Sequence, residues 1–348
     1  MYTREKTRTI KVGNITIGGS NNIVIQSMCN IKTSHVDDVI KQILSLEEYG
    51  CELIRVSILD FEDANAIKEI KKHIHIPLVA DIHFDYRLAL QCIENGIDKI
   101  RINPGNIGKK ENIEKVVLAC KEKHIPIRIG VNAGSLEEDI KAKYGICAKA
   151  MIESAKRHIS ILEEYDFHDI VLSLKASNYE IANKAYKMAA SLFDYPLHIG
   201  ITEPGPLIPG IVKSTLGLSS LIDEGIGSTI RISISDDPIK EIKVAKQLLL
   251  AKGLICMPTL ISCPTCGRTQ IDLIKYANII EDYLYKVNKN IKVAVMGCVV
   301  NGIGEAGDAD IGVSGGNGQA VLFKKGKIIR AIDESLIVKT LEEEIEKL

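Results

Sequence analysis

Short apolar, β-branched runs alternate with longer amphipathic segments from the start of the chain to about residue 252. The short runs have the length and residue preference of strands, and the segments between them have helical periodicity. Strands are predicted at residues 23–28, 53–57, 78–83, 97–103, 125–132, 170–175, 197–202 and 228–235. Helices are predicted between them at residues 36–49, 64–73, 112–124, 150–165 and 179–193.

Capping residues support several of these boundaries. Ser34, three residues before Asp37, predicts the start of the first helix, and Asp237 followed by Pro238 predicts the start of the last. Gly50 and Gly96 are placed where helices end.

Eight strand–helix units in about 250 residues predict an α/β fold, a (β/α)8 TIM barrel. A doubly wound open sheet is the alternative, but no Gly-x-Gly-x-x-Gly turn follows the first strand. After residue 253 the pattern changes to a helix at 271–287, a strand at 291–297, a Gly-rich stretch, a hairpin at 324–326 and a helix from 334. We therefore predict a barrel domain at 1–253, which binds substrate, followed by a small α+β domain at 254–348.

The strands carry polar residues at alternate positions. Because alternate side chains of a barrel strand point inward, these residues are expected inside, near the carboxyl ends of the strands where barrel enzymes place their chemistry. The expected inward residues are Arg55, Ser57, Asp81, His83, Arg101, Asn103, Arg128, Gly130, Asn132, Ser173, Lys175, His198, Thr202, Arg231, Ser233 and Ser235, with Glu203 just beyond its strand.

Positive charge exceeds negative charge in this set. Its five cations are Arg55, Arg101, Arg128, Lys175 and Arg231, and its acids are Asp81 and Glu203. A single arginine is equally well explained by a buried salt bridge to a neighbour such as Asp81. Five converging cations predict an anionic ligand, and arginine is well suited to phosphate or diphosphate.

Three further inward residues have two interpretations each. His83 and His198 are either core histidines or groups that donate to a phosphate or move a proton. Glu203, in the turn GITEPGP at 200–206, is either a general acid/base or a charge-balancing partner of the arginines. We favour catalysis for Glu203.

The nine cysteines are expected to be thiols, because no export signal or membrane span is evident and the cytoplasm is reducing. Cys51, Cys92, Cys120, Cys147 and Cys256 lie in apolar contexts and are expected to act as small hydrophobes. Cys263, Cys266 and Cys298 differ, since a Cys-x-x-Cys pair with a third Cys on a Gly-rich loop is a metal-binding signal.

The metal can be argued from the ligands at hand. A structural zinc site requires four N or S ligands, yet no histidine follows His198 and Cys256 is the only spare thiol of this region. Three thiolates with a weak fourth position suit an iron–sulfur cluster, with Glu305 as a candidate fourth ligand. The alternatives are a zinc knuckle for the cysteines and a solvated loop carboxylate for Glu305.

Charge and composition exclude other classes of function. The formal net charge is −1, with 44 Lys and Arg against 45 Asp and Glu, so there is no overall attraction to nucleic acid or anionic membrane. An aromatic content of 5% without Trp disfavours a base-stacking surface. An RNA-binding protein and a pterin- or sugar-phosphate-binding barrel with a zinc-stabilised tail are the rival hypotheses.

Six segments resemble one known family, the 4-hydroxy-3-methylbut-2-enyl diphosphate synthases of the methylerythritol phosphate route to isoprenoids. The likeness runs in order from about Lys11 to the C-terminal region. The segments are VADIHFD (79–85), IRINPGNIG (100–108), IRIGVNAGS (127–135), LHIGITE (197–203), SCPTCGR (262–268) and GCVVNG (297–302).

The resemblance implies a cofactor and a reaction. It implies a 4Fe–4S cluster, one per subunit, held by Cys263, Cys266, Cys298 and Glu305. The implied reaction is the reductive opening and dehydration of 2-C-methyl-D-erythritol 2,4-cyclodiphosphate in the cytoplasm, with flavodoxin or ferredoxin as electron donor. It further implies that Glu203 handles protons and that the diphosphate is bound by Arg55, Arg101, Asn103, Arg128, Asn132, Lys175, Arg231 and Ser233. Asp81 and His83 are expected to be substrate-binding residues as well.

Two positions depart from the family pattern. Ile303 replaces a usual Pro, which predicts a looser loop carrying Glu305. Cys29 replaces a usual Thr near the mouth, and we expect it to be tolerated rather than to act as a ligand.

The connection between the domains predicts a dimer. The last barrel helix returns the chain to the face opposite the site, and a linker at about 252–255 spans only roughly 15 Å. We therefore predict a two-fold homodimer in which each small domain caps the partner's barrel, consistent with the family's known arrangement.

Overall fold

The computed structural model describes residues 3–103, 107 and 109–348, so 104–106 and 108 of the 100–108 segment lie outside the described residues. The chain divides into two compact units, Met1–Leu254 and Ile255–Leu348. No helix within these described ranges is long and apolar enough to cross a membrane.

A short hairpin precedes the barrel and closes one end of it. Its antiparallel strands are β1 (Ile10–Val12) and β2 (Ile15–Ile17). Ile10, Val12 and Ile17 pack against Val24 and Leu53, which begin two barrel strands. The amino-terminal face of the barrel therefore has an apolar plug, and the polar interior opens at the opposite face.

The first unit is a barrel of eight parallel strands. Their order is β8-β7-β6-β5-β4-β3-β10-β9, and a parallel bridge between Leu172 and Leu197 joins β8 to β9. The strands are β3 (Val24–Met28), β4 (Leu53–Ile58), β5 (Leu78–Ile82), β6 (Lys99–Ile102), β7 (Ile127–Asn132), β8 (Ile170–Lys175), β9 (His198–Ile199) and β10 (Thr229–Ile230). The predicted TIM barrel is confirmed.

The last two strands are much shorter than predicted. Arg231 still donates its N–H to the Ile199 carbonyl at 3.1 Å, but Ser235 donates to the Gly205 carbonyl at 3.0 Å. Beyond Ile199 and Ile230 the two segments leave the hydrogen-bonded strand ladder and form loops at the barrel mouth.

Nine described helices belong to this unit. They are α1 (Val36–Glu48), α2 (Phe61–Ile70), α3 (Tyr86–Glu94), α4 (Lys110–Glu122), α5 (Glu138–Tyr144), α6 (Ala148–Glu163), α7 (Tyr179–Leu192), α8 (Leu207–Asp223) and α9 (Pro238–Ala251). Asp237 caps α9 by accepting from the Ile239 N–H at 2.9 Å, as predicted. The Ser34 cap was wrong: His35 precedes α1, and the Ser34 N–H donates to Asp63 at 2.8 Å.

The second unit is a five-stranded sheet with helices. The strands are β11 (Thr259–Ser262), β12 (Lys292–Met296), β13 (Ile311–Gly315), β14 (Gln319–Lys324) and β15 (Lys327–Asp333). The first three are parallel and the last three antiparallel. The helices are α10 (Leu273–Lys286), α11 (Val299–Glu305) and α12 (Ile337–Glu346). The predicted α+β architecture is confirmed.

Two local expectations for this region were wrong. The Gly-rich stretch after Cys298 forms α11 instead of a loop, and Ile303 packs beside Met296 and Phe323, so burial of its side chain helps to hold the helix. The connection between α9 and β11 covers residues 252–258 and is longer than the expected linker.

Candidate active site

Side-chain contacts inside the barrel match the predicted alternation of inward residues. A Cβ atom at Gly130 of β7 would lie 2.5 Å from Nε of Arg101 in β6, so the arginine lies across that position. A Cβ atom at Gly200 would lie 2.8 Å from Nζ of Lys175. Glycine at these two points therefore makes room for cationic side chains.

Asp81 is the acidic centre of one side of the interior. Its Oδ1 accepts from Nη1 of Arg101 at 3.0 Å, and its Oδ2 lies 3.7 Å from Nε of Arg55. Burial alone would raise the pKa of Asp81, but Arg55, His83 and Arg101 outweigh it and hold the pKa well below its usual range. Asp81 is therefore an ionised partner that fixes two arginines.

His83 completes this group at the carboxyl end of β5. Its Nε2 lies 2.8 Å from Nη1 of Arg101 and 3.5 Å from Oδ1 of Asp81. Nε2 therefore lies between a guanidinium, which only donates, and a carboxylate, which accepts. The side chain is 43% exposed, so it faces the mouth.

Glu241 of α9 holds the arginine on the other side and was missed in the sequence. Its carboxylate accepts from Nε and Nη2 of Arg231, both at 3.2 Å, and from Oγ of Ser27 at 3.0 Å. Glu241 is 4% exposed. Arg231 is therefore balanced by Glu241 and not by Glu203. A glutamate in the first turn of an amphipathic helix gives no sequence signal of such burial.

A deeper layer contains Arg128, Lys99 and His198, all nearly inaccessible. Arg128 donates to Oε1 of Gln26 at 3.3 Å, and Nδ1 of His198 lies 2.7 Å from Oγ1 of Thr229. His198 begins β9 and is fully buried, which favours the core interpretation of this histidine. Lys99 was also missed, although continuing the alternation back from Arg101 would have found it.

Four more of the predicted residues lie at the mouth. Asn103 is buried just after β6, and Asn132 and Ser233 are half-buried at or beyond the ends of β7 and β10. Glu203 is exposed in the loop after β9 and has a φ of 54°, a left-handed conformation that is costly for a residue with a side chain. Such conformations in non-glycine residues are typical of functional loops.

Cations outnumber acids in the described interior. Arg55 is largely buried, and burial is the main reason that its pKa falls to about 10, with Arg231 and Arg101 lowering it further against Asp81. Burial and neighbouring arginines also lower the pKa of Lys175 and of Arg128 well below their usual values. The inward basic residues are Arg55, Lys99, Arg101, Arg128, Lys175 and Arg231, and the inward carboxylates are those of Asp81 and Glu241. This arrangement favours an anion.

The cysteines form a second candidate site in the smaller unit. Cys263 follows β11 and Cys298 follows β12 after one residue, so both lie at the carboxyl edge of two paired parallel strands. The Gly297 N–H donates to Sγ of Cys263 at 3.3 Å, and Oγ of Ser314 donates to the Cys298 carbonyl at 2.7 Å.

Cys266 lies on the turn that follows Cys263. Its N–H donates to Oγ1 of Thr269 at 3.3 Å, and hydrogen bonding by the Arg268 backbone and side chain lowers its thiol pKa. Glu305 is exposed at the end of α11. Among the residues described, no three Cys, His, Asp or Glu side chains are grouped closely enough to hold a metal ion.

The thiols of Cys263, Cys266 and Cys298 fit an iron–sulfur cluster. Thiols are the ligands such clusters prefer, and the N–H donated to the Cys263 sulfur is the kind of hydrogen bond that tunes the cluster's reduction potential.

The other cysteines differ from expectation in part: Cys29, Cys51, Cys92 and Cys120 are buried, but Cys147 is half-buried and Cys256 is exposed. Burial raises the pKa of Cys29 to about 12, so it is a protonated thiol.

Both units match one protein family. Residues 7–246 match the GcpE TIM-barrel domain, and residues 259–347 match the GcpE protein C-terminal domain. The chain belongs to the GcpE family. The resemblance found in the six sequence segments is thereby confirmed.

This GcpE family member is similar to curated proteins along nearly its whole length. It is 59% identical over 347 residues to "4-hydroxy-3-methylbut-2-en-1-yl diphosphate synthase (flavodoxin)" of Lysinibacillus sphaericus, covering 99% of this chain and 94% of that one. It is 57% identical over 348 residues to the protein of the same name from Bacillus anthracis, covering 99% and 95%.

Solved structures support the barrel alone. Dihydropteroate synthase from Stenotrophomonas maltophilia superposes with a TM-score of 0.50 at 10% identity, covering 72% of this chain and 100% of that one. The Vibrio fischeri 7,8-dihydropteroate synthase gives a TM-score of 0.50 at 13% identity, covering 71% and 98%. At such low identity the likeness of this GcpE protein to them concerns its fold.

Proposed function

We propose that this protein makes 4-hydroxy-3-methylbut-2-en-1-yl diphosphate, the activity named for its curated relatives, from 2-C-methyl-D-erythritol 2,4-cyclodiphosphate. The observation that carries the proposal is one chain with two chemical features: a barrel interior with surplus buried cations, and a trio of cysteines of which two lie at one sheet edge. The first suits a compact diphosphate and the second suits one-electron chemistry.

The reaction balances as a two-electron reduction. The carbon–oxygen bond that closes the cyclic diphosphate breaks, and the diphosphate stays attached through its other ester. Two electrons and two protons enter, one hydroxyl group leaves as water, and a carbon–carbon double bond forms. The protein must therefore hold the diphosphate, deliver electrons and supply protons.

Substrate binding is assigned to the inward cations. Two arginines, Arg55 and Arg101, are already oriented by Asp81, and Arg231 is oriented by Glu241, so little ordering is needed when the anion enters. His83 lies beside Arg101 at the mouth. The proposed diphosphate ligands are Arg55, Arg101, Asn103, Arg128, Asn132, Lys175, Arg231 and Ser233.

Glu203 is proposed to move protons. Its strained, exposed position after β9 keeps a carboxyl group at the mouth outside the Asp81 and Glu241 ion pairs. A group that exchanges protons with solvent and substrate needs such a position.

Cys263, Cys266, Cys298 and Glu305 are proposed to hold one 4Fe–4S cluster per subunit. When bound, the cluster supplies electrons one at a time from an external donor. Glu305 offers an oxygen ligand, which is weaker than a thiolate on iron and easier to displace. Flavodoxin is the proposed donor because the relatives' name includes it, with ferredoxin as the alternative, and the cytoplasm is the proposed location.

A homodimer with a shared site is proposed from the connection between the units. Helix α9 has 14 residues, about 21 Å, and ends at the face opposite the mouth. The connection at 252–258 reaches about 25 Å only when fully extended. A cluster that caps the partner's barrel avoids that requirement. Mixing Arg101→Ala with Cys298→Ser chains should then restore partial activity, and no recovery would contradict a shared site.

The experiment is anaerobic purification, followed by iron and sulfide analysis and by turnover with a low-potential reductant. We expect iron and sulfide in equal amounts and 4-hydroxy-3-methylbut-2-enyl diphosphate as product. Zinc without sulfide, or no consumption of the cyclic diphosphate by protein that contains its cluster, would contradict the proposal.

A further inference from the structure

Lys99 is a buried lysine to which the proposed reaction assigns no role. It begins β6, two residues before Arg101, and its side chain is 0% exposed. Its Nζ makes no hydrogen bond with any described group. A lysine is rarely buried in this way without a partner.

The groups around Lys99 are positive or neutral. Arg128 on β7 and Arg55 on β4 are its charged neighbours, and His198 on β9 is a further titratable neighbour. The two carboxylates of the interior are engaged elsewhere, because Asp81 on β5 pairs with Arg55 and Arg101 and Glu241 on α9 pairs with Arg231. Among the described inward residues, Lys175 on β8 and His83 at the mouth are also titratable.

An ammonium group in this position would be both desolvated and repelled. Burial is the main reason that the pKa of Lys99 lies well below its ordinary value, and Arg128 and Arg55 lower it further. Without an anion, the burial of the unpartnered Nζ and the two guanidinium groups therefore disfavour the ammonium. A doubly negative ligand among the arginines would offset their charge and favour the ammonium.

We propose that binding of the cyclic diphosphate is coupled to uptake of a proton by the Lys99 amine at the floor of the barrel. The proton comes from solvent, and the bond formed is the third N–H of the ammonium. Lys99 then acts as a positioning residue beneath Arg128, adding positive charge only when the anion is present. This inference rests on the proposed function, since it takes the diphosphate as the ligand.

The test is isothermal titration calorimetry of the oxidised protein without reductant, so that ligand binds but does not react. Each phosphorus of a cyclic diphosphate has one ionisable oxygen, already deprotonated at neutral pH, so the ligand exchanges no protons. The slope of binding enthalpy against buffer ionisation enthalpy therefore counts the protons taken up by the protein. We expect uptake in the wild type and affinity that rises as pH falls, by up to about tenfold per unit for each proton.

Variants at three positions assign the proton. Lys99→Met, or Lys99→Gln if Met impairs folding, should take up about one proton fewer than the wild type. Lys175→Met measures the part that belongs to the second buried lysine. Lys184→Met, an exposed position on α7, should behave as wild type.

The outcomes separate this inference from the proposed function. Saturable binding with a buffer-independent enthalpy, or uptake that is unchanged in both Lys99 variants, would overturn the role of Lys99 and leave the proposed function standing. Absence of saturable binding would contradict both.

Discussion

Nη1 of Arg101 donates to Oδ1 of Asp81 at 3.0 Å between the neighbouring strands β6 and β5. Both side chains are more than nine-tenths buried. The same carboxylate faces Arg55, so one acid organises two of the cations that we assign to the diphosphate. The interior is therefore arranged for an anion before any anion enters.

Replacing this acid should destabilise the barrel. Asp81→Asn leaves Arg55 and Arg101 without their counter-charge, and loss of one partner from a buried pair costs about 3 kcal/mol of unfolding free energy. Asp194→Asn, which breaks a half-exposed pair with Arg8, should cost under about 1 kcal/mol. Denaturant unfolding measures both, and equal losses would contradict a special role for Asp81.

The same carboxylate should make stability depend on pH. The folded-state pKa of Asp81 is depressed, so its contribution is present at neutral pH and is lost as pH falls below its ordinary value of about 4. The difference in unfolding free energy between wild type and Asp81→Asn should therefore shrink in acid. A difference that stays constant from neutral pH to pH about 3 would show that the carboxylate's charge is not the cause.

Gly130→Ala should weaken substrate binding. The new Cβ would meet Nε of Arg101 at 2.5 Å and displace the guanidinium from its place in the site. We expect the KM for the cyclic diphosphate to rise by about tenfold, the loss of roughly one charged hydrogen bond. Gly134→Ala is the control, because nothing lies within 4 Å of its Cβ, and its KM should be unchanged.

Glu203→Gln should reduce turnover rather than binding. The amide keeps the shape of the side chain but does not donate an acidic proton, so kcat should fall by about 10²-fold or more with KM nearly constant. The pH dependence of kcat should lose one limb as well. A raised KM with an unchanged kcat would assign Glu203 to binding instead.

Cys298→Ser should remove the cluster and leave the barrel intact. Serine is a poor ligand for iron in place of a thiolate, so iron content and visible absorbance should fall by most of their value. Cys256→Ser, which changes an exposed thiol on the connection between the units, should keep both. Retention of a full cluster in Cys298→Ser would contradict the proposed ligand set.

Sequence periodicity was sufficient for the barrel, because buried parallel strands and amphipathic helices have distinct patterns. It located Arg55, Arg101, Arg128, Lys175 and Arg231 inside, since the alternation of a strand is fixed by the backbone. It failed for Glu241, whose burial depends on which strand α9 packs against. It failed also at β9 and β10, where loops replace the predicted strand ends, and at α11, where Ile303 finds an apolar partner surface in a Gly-rich stretch.

The most direct measurement is the electron count of the reaction. Reductant of known concentration is titrated anaerobically into the protein with excess 2-C-methyl-D-erythritol 2,4-cyclodiphosphate, and the product is identified and quantified. The account predicts one molecule of 4-hydroxy-3-methylbut-2-enyl diphosphate for every two electrons consumed. Product formed without electrons, or electrons consumed while the cyclic diphosphate stays intact, would contradict it.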